Sequence, residues 1–242
     1  MPLKPFKYDI KLYALCEARS GYACSITLYS NKRKESNIEM INRLTNNFKN
    51  KNNHIYMDNF YTSVKFFENL KETGIYCCGT LRENQGGPKK CKSLINSFSK
   101  GDGILKNNGN INYLCFKDNG VVQMISNIHS GSFINNQEVN NTEAQNMKQN
   151  EIIINYNNFM GSVNLMDQIL SYYSIDKKSQ KWTIKLVFHL LSIVVHNSYI
   201  LYKKNTFLSK SYLQYLIIIM ENLSRGFNSS NIAENINIQE TN

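Results

Sequence analysis

The stretch from His54 to Gly79 constrains the fold of this chain more than any other. Residues 54–58 (HIYMD) read as a short apolar strand ending on Asp58. Asn59, Phe60, Tyr61 and Thr62 follow as a link, and Ser63 can cap a helix with Val64, Phe67 and Leu70 on one face. Gly74 closes that helix, and residues 75–79 supply another short strand. Before this unit, residues 9–17 and 22–29 are strand-like runs joined by Ala18-Arg19-Ser20-Gly21, which predicts a hairpin. Residues 34–48 place Ile38, Ile41, Leu44 and Phe48 near helical spacing. Hairpin, helix, strand, helix, strand is an α/β order and predicts a mixed sheet flanked by helices.

After Thr80 the texture changes. Gly86-Gly87-Pro88 and Gly101-Asp102-Gly103 mark turns, and residues 113–117 with 121–126 read as a hairpin across Asp118-Asn119-Gly120. The expectation is a β-rich or loose insertion, residues 80–150, lying outside the central sheet and ending in an Asn-rich linker over 135–150. Residues 151–156 (EIIINY) read as a buried strand or extended segment, with helices over 159–173, 180–203 and 212–223 and a polar tail. The predicted organisation is therefore residues 1–79 and 151–205 as two parts of a core, 80–150 as insertion, and 206–242 as short helix and tail.

Charge and composition narrow the class. Lys and Arg number 28 against 18 Asp and Glu, a net +10 that suits a polyanionic partner. The 36 Asn, and 23 Lys against 5 Arg, suggest instead an AT-rich coding bias behind part of that charge. The first ten residues hold no apolar run, so no secretory signal is expected. The most apolar stretches, 186–195 and 212–220, are too short to span a bilayer, so no membrane partner is expected. Six Cys show no C-x-x-C pair, so no zinc site is expected. His189 and His196 share a helix face without a third ligand, and Trp182, spaced with Leu186 and His189, reads as core.

Asp58 is the first candidate for chemistry. A carboxylate at the carboxyl end of a strand in an α/β sheet can meet a metal or a phosphate. It can equally close its own turn by accepting hydrogen bonds from the backbone. Asn164 and Asp167 lie three apart in a predicted helix and share a face, and Glu17 ends the first strand. Acidic side chains gathered from separate elements could hold Mg²⁺. Lys177, Lys178, Lys181 and Lys185 form a basic cluster at a helix start, suited to phosphate contact or to a solvated face.

Residues 54–82, HIYMDNFYTSVKFFENLKETGIYCCGTLR, resemble the DNFYTS…GTLR core of piggyBac-type transposases. MPLKPFKYDIKLYALCEARSGY is similar to the family segment around its first catalytic Asp, and LCFKDNGVVQMISNIH to the segment that follows GTLR. NYNNFMGSVNLMDQILSYYSIDKKSQKW is similar to the YN…MGGVD…DQ…Y…RK…KW segment. The blocks occur in family order over roughly residues 1–204. The resemblance implies a ribonuclease H-like fold in which three Asp residues hold two divalent metals, Mg²⁺ or Mn²⁺, for DNA strand cleavage and joining in cut-and-paste transposition. It implies DNA as the ancestral partner, a nuclear location, and homo-oligomerisation as an open option.

Carried over by position, Asp58 matches the second catalytic Asp. Glu17 stands where the first is found, Asn164 where the third is found, and Asp167 matches the accompanying Asp one turn later. The metal-ligand set so implied is Asp58, Glu17 and Asp167, and the two departures at Glu17 and Asn164 predict an inactive or impaired enzyme. A domesticated, non-catalytic module that binds DNA or protein is the alternative. Gly161-Ser162 replaces the family's glycine pair and Lys177 its Arg. The family's N-terminal region and its cysteine-rich C-terminal domain have no counterpart in this sequence, so the recognition of transposon ends is expected to be lost.

Overall fold

The computed structural model describes residues 11–29, 36–82, 85–88, 98–134, 149–175, 181–206 and 210–239. The chain divides into two compact units, Met1–Val163 and Asn164–Asn242. In the first, β1 (Leu12–Cys16) and β2 (Ala23–Leu28) form the expected antiparallel hairpin, with an irregularity between Leu15 and Cys16. Helix α1 (Asn37–Thr45) starts on a capping box: the Ser36 hydroxyl accepts from Glu39 N, and the Glu39 carboxylate accepts from Ser36 N. Its buried residues are Met40, Ile41, Leu44 and Thr45, and a single 3₁₀ turn, Asn46–Phe48, follows.

Residues 53–80 fold as the sequence predicts. Strand β3 (Asn53–Met57) runs parallel to β4 (Ile75–Thr80), and α2 (Val64–Glu72) crosses between them. Ser63 caps α2, its hydroxyl accepting from Phe66 N at 3.3 Å. Gly74 ends the connection at φ +68°, where a Cβ would stand 2.9 Å from the Asn50 backbone, so both space and conformation demand glycine there.

The five-stranded sheet has the order β3-β4-β7-β6-β5, with β5 at Gly103–Asn107, β6 at Asn112–Lys117 and β7 at Val121–Ser126. It is a mixed sheet, since β7 pairs antiparallel to β4. This corrects the picture of residues 80–150 as an excursion outside the central sheet: three of its five strands come from there. The reason is burial on both faces. Cys77, Tyr113, Cys115 and Ile125 join Phe66, Phe67 and Leu70 of α2 in one core cluster. Their neighbours Cys78, Leu114, Phe116 and Met124 join a second cluster on the opposite face. Strands covered on both faces belong inside a sheet. The Gly and Asn residues between them mark turns and carry no information about which strand is the neighbour.

The second cluster is covered by α3 (Glu151–Phe159), which buries Ile152 and Tyr156. The reading of residues 151–156 as a strand is thereby corrected. Asn150, fully buried, accepts from Ile152 N at 2.9 Å and donates to Gly131 O at 2.7 Å, so the helix is capped from within the core. Two short strands, β8 (Phe133–Ile134) and β9 (Gln149–Asn150), pair just before it; the rest of the expected linker lies outside the described residues. Helix α3 stops at the turn Met160-Gly161, and the helix expected over 159–173 follows from Ser162 to Tyr172.

Helix α4 (Ser162–Tyr172) spans the boundary between the units. In the second unit α5 (Trp182–Thr206) and α6 (Tyr212–Gln239) meet through tyrosine rings: Tyr199 lies 5.1 Å from Tyr212 and 5.5 Å from Tyr215. Two expectations fail here. Helix α6 continues to Gln239, so 224–239 is not an unstructured tail. Trp182 is 62% exposed and is not core. At 25 residues α5 is also long and apolar enough to cross a membrane, by length and composition alone, so the argument from short apolar stretches does not hold for it. Its face bearing Ser192, Ile193 and His196 is nonetheless buried in the protein.

Candidate functional site

Asp58 sits directly after β3, exposed, at the head of a turn that several neighbours fix. Its carbonyl accepts from Tyr61 N and from the Thr62 hydroxyl, both at 3.0 Å. Its carboxylate Oδ1 accepts from Asn59 N at 2.6 Å and from the Thr80 hydroxyl at 3.2 Å. The segment after β4 grips the next residue: Arg82 Nε donates to Asn59 Oδ1 at 2.9 Å, and Gln85 Nε2 donates to Asn59 O at 2.7 Å. Thus the DNFYTS and GTLR stretches are two sides of one structure, joined by the parallel register that sets Met57 opposite Gly79. Thr80, Arg82 and Gln85 were not singled out from sequence; the signal available was that two motifs each end a neighbouring strand.

Of the two alternatives for Asp58, the turn contact is the one seen in the structure. The carboxylate does close its own turn, through Asn59 N. It also colours its surroundings: burial pushes the Tyr61 phenol up to about 12, with Tyr13 and then the Asp58 charge adding to the shift. The Tyr156 phenol is raised as well, first by burial and opposed by a hydrogen bond with Thr80, with Asp58 again contributing.

Glu17 is placed differently. Its carboxylate accepts from Arg19 N at 3.2 Å, from Ser20 N at 2.8 Å and from the Ser20 hydroxyl, so both oxygens serve the hairpin turn that follows β1. Asn164 and Asp167 lie on α4 in the second unit, both exposed. Desolvation by the surrounding protein raises the Asp167 carboxyl above its usual range, and the nearby His189 opposes that. Lys181 and Lys185 are exposed at the start of α5, one turn apart; Lys177 and Lys178 lie outside the described residues.

The donor set does not fit a pair of dications. Two hard metals need several carboxylate oxygens to offset their mutual repulsion. Here one of the matched positions is an uncharged Asn, and Glu17 already accepts three hydrogen bonds within its own turn. Among the described residues no three of His, Cys, Asp and Glu come together to hold a metal ion.

A second polar cluster lies on the face covered by α3. Tyr56 Oη and His129 Nε2 are 3.2 Å apart, and His129 Nδ1 lies 3.5 Å from Glu151 Oε1. Ser130 donates to Glu151 Oε2 at 2.8 Å. Desolvation holds the His129 imidazole below its ordinary value against the pull of Glu151, and His54 nearby pushes the same way as burial. A histidine depressed in the folded state contributes stability above its unfolded value of about 6.5, and that stability is lost as pH falls through the folded value. Urea midpoints should therefore fall more steeply between about pH 7 and 5 for the native chain than for His129→Gln. Parallel pH profiles for the two would contradict this.

The family model described as Transposase IS4, of the DDE type, matches residues 1–199. Human PiggyBac transposable element-derived protein 5 is 27% identical over 173 residues, covering 66% of this chain and 31% of that protein. Human PiggyBac transposable element-derived protein 3 is 24% identical over 156 residues, covering 62% of this chain and 26% of that protein. The chain therefore spans about a quarter to a third of the length of these curated relatives. Among solved structures, the piggyBac transposase synaptic complex with hairpin DNA matches with a TM-score of 0.82 at 20% identity, over 96% of this chain and 49% of that one. At that identity the match speaks for the fold: an α/β architecture with a mixed sheet flanked by helices. With the family model covering residues 1–199 of 242 and piggyBac-derived proteins among its relatives, the chain belongs to the piggyBac-type transposase family.

Proposed function

We propose that this chain is a piggyBac transposase-derived core of ribonuclease H-like design, whose ancestral chemistry is metal-dependent cleavage and transfer of DNA strands and whose cleavage is now lost or impaired. One observation carries the reading. Of the three positions matched to catalytic Asp residues, only Asp58 keeps an aspartate, while Glu17 is tied into its own turn and Asn164 has no charge. DNA is the ancestral partner in this reading; the structurally similar transposase is a synaptic complex with hairpin DNA. Lys181 and Lys185, with Lys177 and Lys178, would meet phosphates. The nucleus is the corresponding compartment, and a second copy of the chain is compatible with it.

The test is nicking of a labelled duplex by the purified chain in Mg²⁺ or Mn²⁺, with Asp58→Ala as control. No product above that control is expected. Robust nicking that disappears in Asp58→Ala overturns the impaired reading. Glu17→Asp combined with Asn164→Asp should raise Mn²⁺ affinity by more than the two single changes together, because ligands of one site act as a unit. Strict additivity in titration calorimetry would place the two positions in separate environments.

A non-catalytic binding module has its own favouring observation. Val187, Leu191, Val194 and Leu201 recur on one face of α5 and are 47–62% exposed. Apolar side chains left exposed along one helix face suit the docking of a partner.

A further inference from the structure

The ammonium of Lys11 sits among three aromatic rings. Its Nζ lies 4.7 Å from the ring centre of Phe60, 4.8 Å from that of Tyr13 and 5.7 Å from that of Tyr29. The rings come from different places: Tyr13 from β1, Tyr29 from the end of the hairpin, and Phe60 from the turn headed by Asp58. They also touch one another. Tyr13 stands edge-on to Tyr29 and to Tyr61, each at 6.1 Å, and Phe60 stands edge-on to Tyr61 at 4.9 Å. The backbone closes the group, Tyr29 N donating to Lys11 O at 2.9 Å.

We infer that Lys11 is a positioning residue: its ammonium, shared between the rings of the hairpin and the ring of the Asp58 turn, pins the element carrying Glu17 to the element carrying Asp58. The physics is the attraction of a cation to the negative faces of aromatic rings, which is gained only while all the rings stay around it. Among the described residues the hairpin has no ladder bonds to the five-stranded sheet, so side chains contribute to holding it in place. Tyr13 does this from the buried side; Lys11 does it at the open side, where Tyr29 and Phe60 are 50% and 38% exposed. The importance of this pinning for chemistry rests on the proposed reading of Glu17 and Asp58. The pinning itself does not, and it is measured without any cleavage.

The experiment is hydrogen exchange on the whole chain, comparing the native protein with Lys11→Met and Lys11→Arg. Methionine keeps the apolar reach and removes the charge, whereas arginine keeps the charge and stacks on rings. Lys11→Met should speed exchange about two- to fivefold in both residues 12–28 and residues 58–63, with β6 and β7 unchanged. Lys11→Arg should stay at native protection. Unchanged exchange in Lys11→Met, loosening of one segment without the other, or Lys11→Arg exchanging as fast as Lys11→Met each overturns the inference. Should Lys11→Met fail to fold, Tyr29→Leu removes one exposed ring and should loosen the same two segments together; no change there overturns it equally. Nicking by the native chain would remove the impaired reading and leave this exchange pattern as it is.

Discussion

Gly79→Ala is expected to lower stability by about 2–3 kcal/mol and to displace the Asp58 turn. A Cβ at this position would stand 2.6 Å from the Met57 carbonyl oxygen and 2.6 Å from the Thr62 hydroxyl, closer than real Cβ atoms come. The first of these is backbone and cannot swing aside. Met57 lies opposite Gly79 in the β3–β4 ladder, and Thr62 holds the Asp58 carbonyl. The added methyl would therefore push on the strand end and on the turn at once. The glycine of GTLR is there to give room, since its backbone is not in the left-handed region. Gly161→Ala is the comparison, because nothing lies within 4 Å of a Cβ there. It should stay within about 0.5 kcal/mol of the native chain in urea unfolding. Equal losses for the two variants would show that the close approach at Gly79 is relieved without strain.

The same residues show what a sequence can and cannot convey. The unit from β3 to β4 was legible because its signals are local: Ser63 caps, Val64, Phe67 and Leu70 repeat at helical spacing, and Gly74 takes a positive φ. The position of β5, β6 and β7 was not, because a strand's neighbour is chosen by side chains distant in sequence. Cys78 pairs with Ser126, 48 residues on, and no turn residue announces it. Residues 151–156 misled for another reason. A run of three Ile fits a strand as well as one turn of a helix, and Asn150, which decides the matter as a buried cap, reads from sequence as one more Asn in a polar stretch.

The candidate site divides along the same line. Asp58 was visible as a carboxylate at a strand end, but whether it is held was not. The contacts from Thr80, Arg82 and Gln85 require knowing that β4 lies beside β3. Glu17 was visible as a substitution. That its oxygens accept from Arg19 N and Ser20 N, two and three residues on, depends on the bend of the turn. Glu17→Asp draws the carboxylate one methylene closer to the backbone and Asn164→Asp adds the missing charge, which is why the double change combines them.

Phe67→Ala should cost about 3–5 kcal/mol. Phe67 is fully buried, flanked on α2 by Phe66 and Leu70, and shares its cluster with Ile55, Met57, Ile75 and Cys77 of the strands beneath. Removing the ring leaves a cavity lined by groups fixed in the sheet, which can close only partly. A domain of ordinary stability has about 5–15 kcal/mol in total, so roughly a fifth or more would be lost. The damage should also reach the candidate site, because Ser63, the cap of α2, lies five residues beyond Asp58, and the seat of that helix on the sheet sets where the turn ends. Lys65→Ala, exposed on the opposite side of the same helix, should change stability by less than about 0.5 kcal/mol. Urea unfolding of the three proteins checks this. A Phe67→Ala loss no larger than that of Lys65→Ala would mean that α2 does not seat on the sheet as described, and the Asp58 turn would lose the support on which its proposed role depends.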